Sequence, residues 1–159
     1  MIKKLAITLI LFGLPGHATE GRTWSEAGDW VILIDPENGN GCFMEKEFDD
    51  ATLVRMGHVP NRRGGFFAAY NAGWTELGEG KIEDLRFDFG DALFGGEAEI
   101  VAESDRPGGY VFFDNPGFID EFAKRNSVWV YPKGAAGFEI DLKGTSAALA
   151  AVQSCQSEQ

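Results

Sequence analysis

The sequence predicts a mainly β domain, an antiparallel β-sandwich or small barrel, with one short internal helix and a C-terminal helix packed on the sheet. Three features predict it. Segments of five or six residues with alternating apolar and polar side chains recur along the chain, the period that puts every second side chain on one face of a strand. Turn-forming clusters separate these segments, and 21 of the 159 residues are glycine, which suits short strands, tight turns and a curved sheet. Only two stretches, 115–125 and 145–155, carry helical spacing.

Taken in order, Trp30 to Ile34 is apolar on both faces and reads as a central, covered strand. "PENGNG" at 36–41 supplies turn chemistry, and Cys42 opens the next strand. Leu53 to His58 and Phe66 to Tyr70 follow, separated by "VPNRRGG". Leu85, Phe87 and Phe89 alternate with Arg86 and Asp88, and Ala98, Ile100 and Ala102 alternate with charged or small residues. "RPGG" reads as a turn before a strand from Tyr110 to Phe113. Asn115 then caps a helix with Pro116 preset at its first position, and Phe118, Ile119 and Phe122 share one face down to Arg125. Val128 to Tyr131 and Phe138 to Leu142 complete the strands. In the last helix Thr145 or Ser146 supplies the cap, and Ala148, Val152 and Cys155 fall on one side. The small residues there let the helix lie close to the sheet, with the Cys155 sulfur aimed at what it covers.

The chain begins with a basic pair (Lys3, Lys4), an apolar run from Leu5 to Leu14 and a small-x-small site, Gly16-His17-Ala18. That order predicts a secretory signal peptide over residues 1–18, leaving 19–159 as one β-rich domain in the periplasm or outside the cell. The apolar run is too short for a stable membrane span. The formal charge is −11; without the two leader lysines, 12 basic face 25 acidic residues, a net −13. Phosphate backbones and anionic lipid repel such a surface, so nucleic-acid and membrane-surface roles are disfavoured, and the partner expected is a protein or a small ligand. Cys42 and Cys155 are the only cysteines. An even pair in an oxidising compartment reads as one disulfide, with two free buried thiols as the alternative. A zinc site is disfavoured, because the mature chain offers only His58 as a further soft ligand.

No catalytic residue stands out. A nucleophilic triad needs a base, and His58, the single histidine of the mature chain, sits at a strand end before a turn. No G-x-S-x-G, P-loop or G-x-G-x-x-G motif occurs. The acidic pairs Asp49–Asp50, Asp88–Asp91 and Glu97–Glu99 suit solvated turns and strand faces better than a glycosidase cleft. "DPENGNG" lacks the ligand register of a calcium loop, so no metal and no cofactor is implied. The contrast with the acidic background is "HVPNRRGGFFAAYNAGW", 58–74, where Arg62 and Arg63 precede Phe66, Phe67, Tyr70 and Trp74. Arginine beside exposed aromatics is the composition of binding hot spots, and Arg62, Arg63, Tyr70 and Trp74 are the candidate partner-binding residues. A charged hairpin tip with its aromatics turned into the core gives the same pattern.

The early Trp strand with a cysteine shortly after it, "DWVILIDPENGNGCFM", and the terminal strand running through a glycine into an Ala-rich helix, "FEIDLKGTSAALAAV", resemble exported proteobacterial proteins of the invasion-associated locus B type. The resemblance implies a small periplasmic or surface β domain linked to host-cell interaction rather than catalysis. The expected function is therefore an exported, non-catalytic binding module. The alternatives are a periplasmic inhibitor of a protease or lytic enzyme, with "NRRGG" as its inserting loop, and a small hydrolase using carboxylates with His58.

Overall fold

The computed structural model describes residues 21–133 and 136–159; the signal peptide expected at 1–18 lies outside the described residues. The strands are β1 (Arg22–Ala27), β2 (Trp30–Asp35), β3 (Gly41–Glu47), β4 (Leu53–Val59), β5 (Gly64–Tyr70), β6 (Ile82–Asp88), β7 (Leu93–Glu103), β8 (Arg106–Phe113), β9 (Ser127–Pro132) and β10 (Phe138–Asp141). The helices are α1 (Pro116–Lys124) and α2 (Thr145–Ser157). All ten strands form one antiparallel sheet in the order β1-β2-β3-β4-β5-β8-β7-β6-β9-β10. Its edges, β1 and β10, do not pair, so the sheet is not closed into a barrel. It is nevertheless curled. Trp30 near one edge and Ile140 at the other belong to one buried cluster, and the β3–β4 turn lines a depression together with β10.

The two helices fill the hollow of this curl. Asn115 caps α1, its side chain accepting from the Gly117 amide at 3.0 Å, and Phe118 and Phe122 project into a phenylalanine cluster. Phe87 on β6 lies edge-on to Phe67, Phe113, Phe118 and Phe122 at centroid distances of 5.0 to 6.4 Å, a favoured geometry for aromatic pairs. Helix α2 lies over β1 to β4 and against α1. Its buried face is Ala148, Leu149, Val152 and Cys155, and Cys155 is bonded to Cys42 of β3 with their Cα atoms 6.1 Å apart. The flap is fastened at other points too: the Cys42 amide donates to the Gln156 side chain at 2.9 Å, and Trp30 Nε1 donates to the Lys143 carbonyl.

Two local expectations change, and one further strand lies where the sequence announced none. Helix α2 has no side-chain cap: Gly144, in the left-handed region at φ 85°, stands at its N-cap. Thr145 is instead its first residue, and its buried hydroxyl lies 2.7 Å from the carbonyl oxygens of both Phe122 and Leu142, joining the two helices. "RPGG" is not a turn; β8 already includes it, and the reversal lies one step earlier, where Ser104 and Asp105 both take positive φ. The polar segment RTWSEA forms β1, an edge strand with a register shift between Thr23 and Ser25. An edge strand pairs on one side only and tolerates such a polar sequence.

Candidate functional site

The alternation of the sheet gives it two unlike faces. The concave face carries Ile32, Met44, Met56, Phe67, Phe87 and Val111 against the helices. The convex face carries a second apolar set, Leu53, Ala68 and Tyr70 with half-buried Phe66, Val101 and Tyr110 packed on it, and neither helix is among its neighbours; the β2–β3 turn, through Asp35, Asn38 and Gly41, borders a depression beside Phe43, Phe66, Tyr70 and Tyr110. Strand register explains its continuity. Phe66 opposes Phe112 and Ala68 opposes Tyr110 across β5 and β8, so their side chains stand on one face in adjoining rows. The Phe66 ring stacks on Tyr110 at 5.4 Å and leans on Phe43 at 6.0 Å.

Charge is threaded through these aromatics. Arg55, at the centre of β4, forms ion pairs with Glu45 and Glu103 and lies 5.7 Å from the Phe43 ring centre and 5.9 Å from that of Tyr70. Burial works to lower its pKa, yet the two carboxylates prevail and leave it raised. At the end of β4 the chain turns through a 3₁₀ segment, Pro60–Arg62, with Arg63 in the left-handed region at φ 53°. Proline presets the turn and the Arg63 amide closes it by donating to the Pro60 carbonyl. This places the exposed Arg62 guanidinium 3.6 Å from the Phe112 ring centre. Stacking fixes the plane of the guanidinium while leaving its edge N–H groups directed away from the ring.

The four residues nominated from the sequence do not form one patch. Arg62 stacks on the convex face and Arg63 extends from the adjoining turn. Tyr70 belongs to that face but is only 5% exposed, so it supports the surface from beneath. Burial pushes its hydroxyl up to about 12, against the opposing charge of Arg55. Trp74 lies on the other side, where its ring meets Phe138 at 5.0 Å. Phe43, Tyr110 and Phe112 were missed; cross-strand register gathers them around Phe66, and Phe112 meets Arg62.

The carboxylate pairs serve local geometry. Asp50 accepts from the Thr52 amide, Asp88 from the Gly90 amide, and Asp91 pairs with Arg125. His58 opposes Gly65 on the inner side of the sheet, and a side chain at Gly65 would run into Ile119 of α1. Burial holds the His58 pKa below its ordinary value, with the Asp120 charge opposing.

Among solved structures, the fold is similar to the crystal structure of invasion associated protein B from Bartonella henselae, with a TM-score of 0.56 and 15% sequence identity, covering 87% of this chain and 99% of that one. At that identity the similarity shows the fold alone. No protein-family model and no curated protein matches the chain.

Proposed function

We propose that this protein is an exported, non-catalytic binding module that engages a protein partner through its convex face, with Arg62 and Arg63 as anchors. The leader at 1–18 is removed and residues 19–159 act as one unit outside the cytoplasm, where the Cys42–Cys155 bond is at home. The reading rests on Arg62 stacked on Phe112 beside Phe66 and Tyr110, an exposed arginine held in place on half-buried aromatic side chains. Arginine and aromatic side chains dominate the binding energy of protein interfaces, and an arginine already ordered by stacking loses less freedom on binding.

Site-specific photo-crosslinking tests it. With p-benzoylphenylalanine at position 63, ultraviolet light should produce a discrete higher-mass adduct in the exporting cell or its culture medium. The same residue at Trp129, an exposed aromatic on β9, should not. Equal adducts from both positions, or none from position 63, would contradict the reading.

A further inference from the structure

The hollow of the sheet is filled at one end only. Beyond the reach of α1 and α2, its inner side opens into a cavity of about 460 Å³ between β5, β8, β7, β6 and β10, a size suited to a ligand of several rings or a long chain. The floor is low because small residues meet there in register: Ala69 opposes Gly109, and Gly109 in turn opposes Ile100. A Cβ on Gly109 would touch only the Ala98 methyl at 3.4 Å and Ile100 at 3.9 Å, ordinary contact distances. Sterics therefore do not impose the glycine; side-chain volume fits there.

The walls and mouth differ in chemistry. Trp74 and Phe138 form a tilted aromatic pair at the side. The Trp74 loop is held by Asn71, whose side chain donates to the Asp50 carbonyl and the Thr52 hydroxyl and accepts from the Gly73 amide. Half-buried Glu83 precedes Leu85 and Phe87 on the inner face of β6, and Glu76 joins it at the lining. Lys133, the basic residue among the described lining residues, is paired with Asp84 at 2.8 Å. Half-buried Glu83 and exposed Glu76 thus border an apolar pocket, and Lys133, ion-paired with Asp84, also feels the Glu83 charge at its edge.

We infer that this cavity binds a small organic cation with an apolar body, such as an aromatic or long-chain amine. The apolar floor removes the body from water, the Trp74 and Phe138 rings offer π faces to an ammonium group, and Glu83 and Glu76 supply charge-assisted hydrogen bonds. This site lies across the sheet from Arg62 and is independent of the partner face.

Dansylcadaverine, an apolar fluorophore bearing a primary amine, is the probe, with dansyl-6-aminohexanoate as the counterpart of like body and opposite charge. Titrated into the exported protein, the amine should show saturable, blue-shifted emission and bind at least tenfold more tightly than the acid. Glu83→Gln should weaken the amine at least fivefold and not weaken the acid. Gly109→Val should abolish amine binding, whereas Arg62→Glu should leave it unchanged. Should Gly109→Val lower the melting temperature substantially, Ala69→Leu fills the same space from the neighbouring strand and replaces it in the test. Absence of saturable binding, equal affinity for amine and acid, an amine affinity indifferent to Glu83→Gln, or one that survives the filling variant overturns the inference.

Discussion

The two faces of this sheet are both apolar, yet one is a core and the other a surface. On the concave side Phe87 is fully buried, enclosed by rings from β5, β8 and α1. On the convex side Phe66 and Tyr110 remain half-buried, and their neighbours include charged groups held by ion pairs. Aromatic content alone does not separate the two. What separates them is how much cover the chain supplies: α1 and α2 occupy the hollow, whereas Phe66, Tyr110 and Phe112 stay half-buried beside the β2–β3 turn. A core face should answer mutation with loss of stability, and a binding face with loss of partner at little cost in stability.

The largest effect expected from breaking this contrast is at Phe87. Phe87→Ala removes a ring with four aromatic neighbours and should cost about 3–5 kcal/mol in denaturant unfolding. The disulfide comes next. It closes 113 residues of chain and pins α2 over the concave face; replacing both cysteines with alanine should cost about 2–4 kcal/mol. Non-reducing peptide mapping should recover Cys42 joined to Cys155.

Tyr70 ties the convex face to pH. Its folded pKa of about 12 lies above the ordinary value of 10. The unfolded chain therefore loses its proton first as pH rises, and folding stability present below pH 10 is lost progressively between pH 10 and 12. The loss is on the order of 2 kcal/mol, read as the difference between wild type and Tyr70→Phe across that range. His58 acts at the other end of the scale. Its folded pKa is depressed by burial, so the unfolded chain takes up the proton first and stability falls as pH drops below about 6.5. His58→Gln should flatten that slope. Phe66→Ala, on the convex surface, should cost only about 1–2 kcal/mol, since its ring keeps one side open.

Much of the fold was legible because it is written in periods. Phe87 and Phe89 against Arg86 and Asp88 announce a strand with one buried face, and Asn115-Pro116 announces the start of a helix. Segments without contrast were lost. RTWSEA has no apolar stripe because an edge strand needs little of one, and "RPGG" looks like a turn although positive φ at Ser104 and Asp105 makes the reversal. The candidate site was legible in part. Arg62 and Arg63 stood out against an acidic background, but Phe112 lies far along the chain and reaches Arg62 only through the β5–β8 register. The same alternation that places Phe66 and Tyr70 outward turns Phe67 inward. Trp74, beyond the strand, cannot be assigned to a face by period at all. The small residues of the cavity floor carry no signal individually; Ala69, Ala98 and Gly109 become neighbours only after three strands pair.

The convex face, on this proposal, binds and does not merely pack. The most direct measurement compares wild type with Arg62→Glu/Arg63→Glu as immobilised mature chains, recording melting temperature and the proteins retained from periplasmic and host extracts. The variant should keep its stability within about 0.5 kcal/mol of wild type, as expected of exposed side chains, and lose a specific retained partner. Reversal of charge at a stacked arginine both removes its hydrogen bonds and repels an acidic partner group. Retention of the same partner by the variant, at an unchanged melting temperature, would contradict it.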